Sequence, residues 1–438
     1  MGSRTTNGGR TADKDPVCVT LPCGEGELCL TVPAANLLGV IRPGEAGGDA
    51  GAARRPRAED EQQEIAGALA RPVGSARLRE LAAGKSSAAI VISDVTRPCP
   101  SHKFLPALLD ELQSIGDENV TLLCALGSHR KHTDEERRHL VGDTVFQRVR
   151  VLDLDNEECV SIGATSAGTP LEVFHPYLDA ELRVCTGNIE YHYFAGYSGG
   201  AKAVMPGICS RAAIQPNHSR MLHPMARAGI LEGNPVRDDI DEGGGIVGID
   251  FIFNVILDEK KRILSAVAGH YLEAHREGVR RFDALFDITI PKAADVVVAS
   301  PGGHPKDLNL YQAQKTLDNV RPALRPGGTI ILAARCGEGF GSEVFESWML
   351  DMSEPRLLIE RIQQEFVLGG HKAAAIADLL LASRVCLVSS FPDDVVRRMG
   401  MHPFRDLDVA LADAFARHGA EAKVLVVPYG NRVRALAR

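Results

Sequence analysis

None of the ten cysteines is spaced as C-x-x-C, which excludes a zinc ribbon. No apolar run approaches the roughly eighteen residues of a membrane span. The opening segment MGSRTTNGGRTADKDP also lacks the apolar core of a secretory leader. A basic stripe is missing as well, and the formal charge is -8, so neither nucleic acid nor an anionic membrane is expected as a partner. The phosphate-binding pattern GxxxxGK[ST] does not occur. Several cysteines sit in apolar runs, Cys124 in VTLLCAL and Cys386 in RVCLVSS, where a reduced thiol behaves as a small hydrophobe. These absences together predict a soluble protein of a reducing cytoplasm.

What is present is globular. The 438 residues are 45% hydrophobic and 24% charged, too many for one ordinary core and enough for two or three. From SAAIVISD onward, apolar runs alternate with polar or glycine-rich loops and helical segments, as in NVTLLCAL, GSHRKH and TDEERRHLV. Thr133 and Glu136 have the spacing of a helix capping box. Continuous apolar strands alternating with helices predict an α/β fold of two domains, with doubly wound, mostly parallel sheets and an active site in the interdomain cleft. The expected division is a disordered tail over 1–16, a cofactor-binding domain over 17–278 with a flexible insertion at 42–63, and a second α/β domain over 279–438.

In such sheets ligands bind beyond the carboxyl ends of the strands. Asp94, Thr96 and Arg97 in DVTRPCP, His129 in GSHRKHT, and His192 in IEYHYFAGYSGGAKAVMPG all follow apolar runs. Arg97 can grip a carboxylate or phosphate through its planar fork, or form a loop-shaping ion pair with Asp94. His132, beside the helix cap, is the more structural of the two loop histidines. The glycine pair Gly199 and Gly200 would let backbone N–H groups approach a phosphate, and Lys202 adds a charge or a nucleophile. His218 and His223 are five apart, which fits no standard helical metal pair, so at most one is a ligand. Tyr311, Gln312 and Lys315 lie in LYQAQK, where Gln312 and Lys315 share a helix face.

Two glycine clusters bear on nucleotide binding. GGGIVG at Gly243–Gly248 matches GxGxxG, but acids precede it and a strand follows, the reverse of the strand-then-helix order required. GEGFGS after GTIILAARC has the better context and the wrong spacing.

The motifs DxTRP, GxHRxxTxEE, H-x-x-x-G-x-S-G-G-x-K, an Asn-His pair ending sixteen residues beyond that lysine, and YQxxK occur in order. In this combination the chain resembles the nickel-dependent lactate racemase family from about Val17 to its end. The resemblance implies a nickel-pincer nucleotide, pyridinium-3-thioamide-5-thiocarboxylic acid mononucleotide, tethered to Lys202, with His218 as the protein ligand of nickel. It further implies His129 and His192 as catalytic acid/bases. Asp94, Thr96, Ser198, Gly199 and Gly200 then belong to the cofactor site, and Arg97, Tyr311, Gln312 and Lys315 to substrate binding. The implied activity is racemisation or epimerisation of a 2-hydroxy acid by hydride transfer, and the implied partners are that small substrate and the proteins that make the cofactor. Ala201 stands where many relatives carry arginine, and Tyr191 where proline is common. These departures leave lactate and larger hydroxy acids open as substrates, and the oligomeric state is not legible. An NAD-dependent hydroxyacid oxidoreductase and a non-catalytic cofactor carrier are the alternatives; the glycine spacing weighs against the first and the paired histidines against the second.

Overall fold

Runs such as AAIVIS and VTLLCA are apolar on both faces of a strand, so they need cover above and below, which parallel sheets flanked by helices provide. The computed structural model describes residues 15–42 and 58–437, apart from 98, 128, 259, 365, 366, 368 and 432. The chain forms two units, one from Ala52–Leu285 and the other from Met1–Gly51 with Phe286–Arg438.

In the Ala52–Leu285 unit a six-stranded sheet runs Ile263–Gly269, Phe251–Leu257, Leu182–Asn188, Ala88–Ser93, Val120–Ala125 and Arg150–Asp153. All neighbours are parallel except the edge pair Phe251–Leu257 and Ile263–Gly269, a hairpin in which Ile252 faces Gly269. The chain winds outward from Ala88–Ser93 to one edge and then returns to pair Leu182–Asn188 on its other side. The order therefore reverses between these two strands, and their carboxyl ends open the crevice where doubly wound sheets bind ligands.

The second sheet has the order His402–Phe404, Arg384–Val388, Leu324–Ala333, Ala294–Ala299, Val424–Val427 and Leu37–Val40, with every pair parallel. The α/β class with parallel sheets is thus as expected, but the division of the chain is not. Leu37–Val40 fills the open edge beside Val424–Val427, and the hairpin of Val17–Cys23 with Gly26–Val32 buries Val19, Leu21, Leu30 and Val32 in a core shared with Leu407, Ala410 and Leu411. The first strands therefore belong to the second unit rather than to a domain over 17–278. A half-apolar hairpin carries no mark in its sequence of which sheet it will cover. The junction falls at Leu285/Phe286, near the end of helix Glu273–Phe286, instead of at Gly278.

Residues 43–57 of the expected insertion and 1–14 of the expected tail lie outside the described residues. Of the remainder, 58–63 are not a loop but open helix Ala58–Ala70, whose first turn carries Glu59, Asp60 and Glu61 at the positive end of the helix dipole. Glu61 is buried, pairs with Lys103 at 2.6 Å and accepts the Ile263 N–H at 3.0 Å. Cys18 and Cys29 form a disulfide across the outer face of the hairpin, whereas the other eight cysteines are free. The sequence predicts a fully reduced set, and a separation of eleven residues gives no sign of cross-strand proximity. Among the described residues no helix is long and apolar enough to cross a membrane.

GGGIVG is the end of a helix, Pro235–Val247, and not a nucleotide turn. A Cβ on Gly244 would lie 2.5 Å from the Ala201 Cβ, so the glycines let this helix press against the turn that carries Lys202. Gly244→Val is expected to lower stability by about 1–3 kcal/mol through overpacking, read as a shift of the denaturant midpoint; an unchanged midpoint would contradict the close approach.

Candidate active site

Strand Ala88–Ser93 ends at Asp94, whose side chain is 3% exposed. One carboxylate oxygen takes the Thr96 N–H at 2.7 Å and the Thr96 hydroxyl at 2.5 Å, and the other faces His129 Nδ1 at 2.8 Å. Burial opposes ionisation of Asp94, but the hydrogen bonds from His129 and Thr96 outweigh it and hold the carboxyl below its ordinary range. An ionised Asp94 places the His129 proton on Nδ1 and leaves the lone pair on Nε2, which has no hydrogen bond among the described residues. Arg97 does not pair with Asp94. Its side chain is exposed and has no ion pair among the described residues, so it is free to meet an anion.

His192 follows strand Leu182–Asn188 in a short hairpin, Tyr191–His192 against Gly196–Tyr197. Its Nδ1 accepts the Ala195 N–H at 3.2 Å, so the neutral ring carries its proton on Nε2. Phe194 stands edge-on to two imidazoles, His192 at 4.5 Å and His218 at 4.7 Å between ring centroids. His218 lies on helix Arg211–Ser219, and its neighbour Asn217 is fixed by Asp239 at 2.8 Å and the Val236 carbonyl at 3.2 Å. The pKa of His192 is driven well below the ordinary value by burial, then by Lys202, His218, Arg97 and Arg237. Lys202 is pushed down to about 7 by burial, Arg97 and Arg237, against Glu190 and Asp94. Groups that follow two different strands thus act electrostatically on His192 and Lys202.

The loop from Ala195 to Gly199 is held from below. Arg237, fully buried, donates to the carbonyls of Ala195 at 3.4 Å, Gly199 at 3.5 Å and Tyr197, and pairs with Asp241 at 3.3 Å. Asp241 also binds Arg276 at 2.6 Å, and His275 donates Nε2–H to the Ser198 carbonyl at 2.8 Å. Asn254, a lone amide within FIFNVIL, accepts the Gly200 N–H at 2.8 Å. The Ser198 hydroxyl donates to the Asn188 carbonyl at 2.7 Å and accepts the Glu190 N–H at 2.9 Å. The Ser198 hydroxyl and the Gly200 N–H thus have partners within the protein. Gly199, at φ 78°, serves the tight turn, where a Cβ would come within 2.8 Å of Asn254. Sequence reasoning misses Arg237, His275 and Asn254, although a single amide inside an apolar strand is a readable signal.

His132 is buried, as its reading as structural requires. Cys124, His132 and Asp153 place possible ligand atoms within 4.8 Å of one another. Both His132 nitrogens are already used, however: Nδ1 faces Asp153 at 2.6 Å and Nε2 accepts the Val95 N–H at 3.1 Å.

In the other unit, Tyr311, Gln312 and Lys315 open helix Leu310–Val320, capped by Asn309. The loop GEGFGS supplies the carbonyls of Gly339 and Phe340 to the N–H groups of Leu310 and Tyr311, and a Cβ on Gly341 would strike Asn309. That loop is thus a helix cap and not a nucleotide turn. Lys372, nearly buried, reaches the Tyr311 carbonyl at 2.6 Å and lies 4.1 Å from its ring centroid. Burial and then Lys315 push its pKa down to about 7.

Lowering the Lys202 pKa to about 7 has a consequence for stability. Between that value and the ordinary lysine value the unfolded chain holds more protons than the folded one, so the cost of burying the ammonium is full below pH 7 and relieved as pH rises. Lys202→Met is therefore expected to gain stability over the parent most below pH 7, with the gain shrinking toward about pH 10, as read by denaturant titration across pH. A gain that does not vary with pH would contradict the buried amine.

Known proteins bear on this arrangement. Residues 23–229 match the lactate racemase N-terminal domain and 290–434 the lactate racemase C-terminal domain. The chain is 34% identical over 426 residues to the lactate racemase of Thermoanaerobacterium thermosaccharolyticum, covering 95% of this chain and 98% of that one. It is 34% identical over 381 residues to the lactate racemase of Lactiplantibacillus plantarum, covering 84% and 90%. Among solved structures, the lactate racemase apoprotein from T. thermosaccharolyticum superposes with a TM-score of 0.85 at 32% identity, covering 96% of this chain and 100% of that one. A Thermotoga maritima protein shares the fold at 19% identity and a TM-score of 0.59, over 86% of this chain and 98% of that one. With both domains matched in order and relatives aligned over nearly its whole length, the chain belongs to the lactate racemase family.

Proposed function

We propose that the protein is an isomerase that inverts the C2 centre of a 2-hydroxy acid, lactate or a larger relative. Two observations support this reading: His129 is held by Asp94 at the end of a sheet strand, and His192 and His218 both stand against Phe194 in the electrostatic neighbourhood of Lys202 and Arg97. The donor set fits a nickel-pincer nucleotide. Lys202, with its ammonium destabilised, supplies a neutral amine for a thioamide tether, and His218 supplies an imidazole to a borderline metal. Once bound, that group would supply the acceptor and donor of hydride at the substrate carbon.

The protein's own part is proton transfer and orientation. Arg97 is placed to take the substrate carboxylate through its fork. Tyr311, Gln312 and Lys315 are the further candidates for orienting the substrate. His129, held by Asp94 with its Nε2 lone pair outward, is the base for the hydroxyl proton of one enantiomer. His192 is oriented instead as an Nε2–H donor to the substrate oxygen. To serve as base for the other enantiomer, its proton must move to Nδ1, which requires the Ala195 bond to open. Proteins that build the cofactor are the expected partners. An NAD-dependent oxidation finds no support, because both glycine clusters are spent on helix packing and capping.

The test is protein made in cells that synthesise the cofactor, analysed by intact mass and metal content, then by racemisation of a hydroxy-acid panel. An adduct on Lys202, stoichiometric nickel and exchange of enantiomers are expected. His129→Ala and His192→Ala should each cut turnover by about 10²–10⁴-fold with nickel retained, while His218→Ala should lose the metal. Loaded protein that exchanges no hydroxy acid would overturn the proposal.

A further inference from the structure

His132 and Asp153 lie behind the site and have no part in the chemistry above. Both are buried, and each polar atom of the pair has a neighbour. Asp153 Oδ1 faces His132 Nδ1 at 2.6 Å, Asp153 Oδ2 takes the His132 backbone N–H at 2.7 Å, and Arg137 stands 3.5 Å from that same oxygen. With the Val95 N–H pointing at Nε2 from 3.1 Å, that nitrogen must carry the lone pair and Nδ1 the proton. Asp153 therefore sets the tautomer that allows His132 to hold Val95. Val95 is the residue after Asp94, in a loop where its own side chain is exposed. Asp94 in turn holds His129 at 2.8 Å. The connection runs from the end of strand Arg150–Asp153 through His132 and the Val95 amide to Asp94 and His129, wholly within one sheet's carboxyl edge.

We infer that His132, with its tautomer set by Asp153, is a positioning residue for the Asp94–His129 pair. The inference rests on the reading of His129 as an acid/base. A metal on Cys124, His132 and Asp153 is the competing use of the same atoms, and it would require His132 to give up one of its two hydrogen bonds.

The test uses the cofactor-loaded enzyme with His132→Leu, His132→Gln and Asp153→Asn. His132→Leu leaves the Val95 N–H without its acceptor, and kcat should fall by about tenfold or more at unchanged nickel content. KM should stay within about twofold. His132→Gln, whose Oε1 can accept the same N–H, should restore kcat to within about threefold. The acidic limb of the kcat/KM profile should move in His132→Leu and not in His132→Gln. Should His132→Leu fail to fold, Asp153→Asn against His132→Gln gives the same comparison, with loss expected only in the former. Wild-type kcat and pH profile in His132→Leu, or equal losses in the Leu and Gln variants, would overturn the role. So would a second stoichiometric metal that His132→Gln removes. His129→Ala in the same assay separates the two readings: if it keeps turnover, the acid/base assignment has failed, and if it is inactive while His132→Leu keeps wild-type kcat, this inference has failed alone.

Discussion

A buried positive charge beneath the Ala195–Gly199 loop is the constraint on which the site depends. Arg237 has no exposed surface, and its carboxylate partner, Asp241, is shared with Arg276. Removing a guanidinium from water is costly unless its donors are satisfied. Here the loop carbonyls of Ala195, Tyr197 and Gly199 do much of that, so the stability of the cation and the shape of the loop are one arrangement. The loop is flanked by His192 on one side and Lys202 on the other. Whatever fixes its carbonyls also fixes the separation of the His192 imidazole from the Lys202 amine, and the uncompensated part of the charge disfavours the protonated form of both.

Glycine serves this site chiefly by allowing close approach. Gly244 lets a helix come up against Ala201, Gly200 presents its N–H to Asn254 while its Cα lies against His275, and Gly341 clears Asn309 at the cap of the Tyr311 helix. In each place the missing Cβ makes room for protein and not for a nucleotide. A glycine-rich string reads the same in both cases, because spacing records where side chains are absent and not what fills the space.

The parallel sheets were legible because continuous apolar strands have few other uses, and the candidate residues were legible because they follow those strands. Asp94, Arg97, His129 and His192 stand at carboxyl ends as expected. The assignment of Val17–Val40 was not legible, since the sheet edge that Leu37–Val40 completes is formed by Val424–Val427, far away along the chain. Nor were the supports of the site. Arg237 looks like one more charge on an amphipathic helix, and only its burial shows that it holds a loop. Ser198 shows the converse: its place in a recognisable motif suggested ligand binding, while its hydroxyl closes the turn.

The two histidines proposed as acid/bases are held differently. His129 is backed by a carboxylate, which keeps a proton on Nδ1 and directs the Nε2 lone pair outward. His192 is backed by a backbone N–H that leaves its proton on Nε2, and burial, then Lys202, His218, Arg97 and Arg237, disfavour its protonated form. A reaction that inverts a centre needs a base for each enantiomer in turn, yet nothing requires the two bases to be equally strong. The equilibrium between enantiomers is fixed by the substrate alone, so unequal histidines cannot bias it. They can only set which direction waits on which proton, and on the proposed assignment the use of His192 as a base requires the Ala195 bond to open.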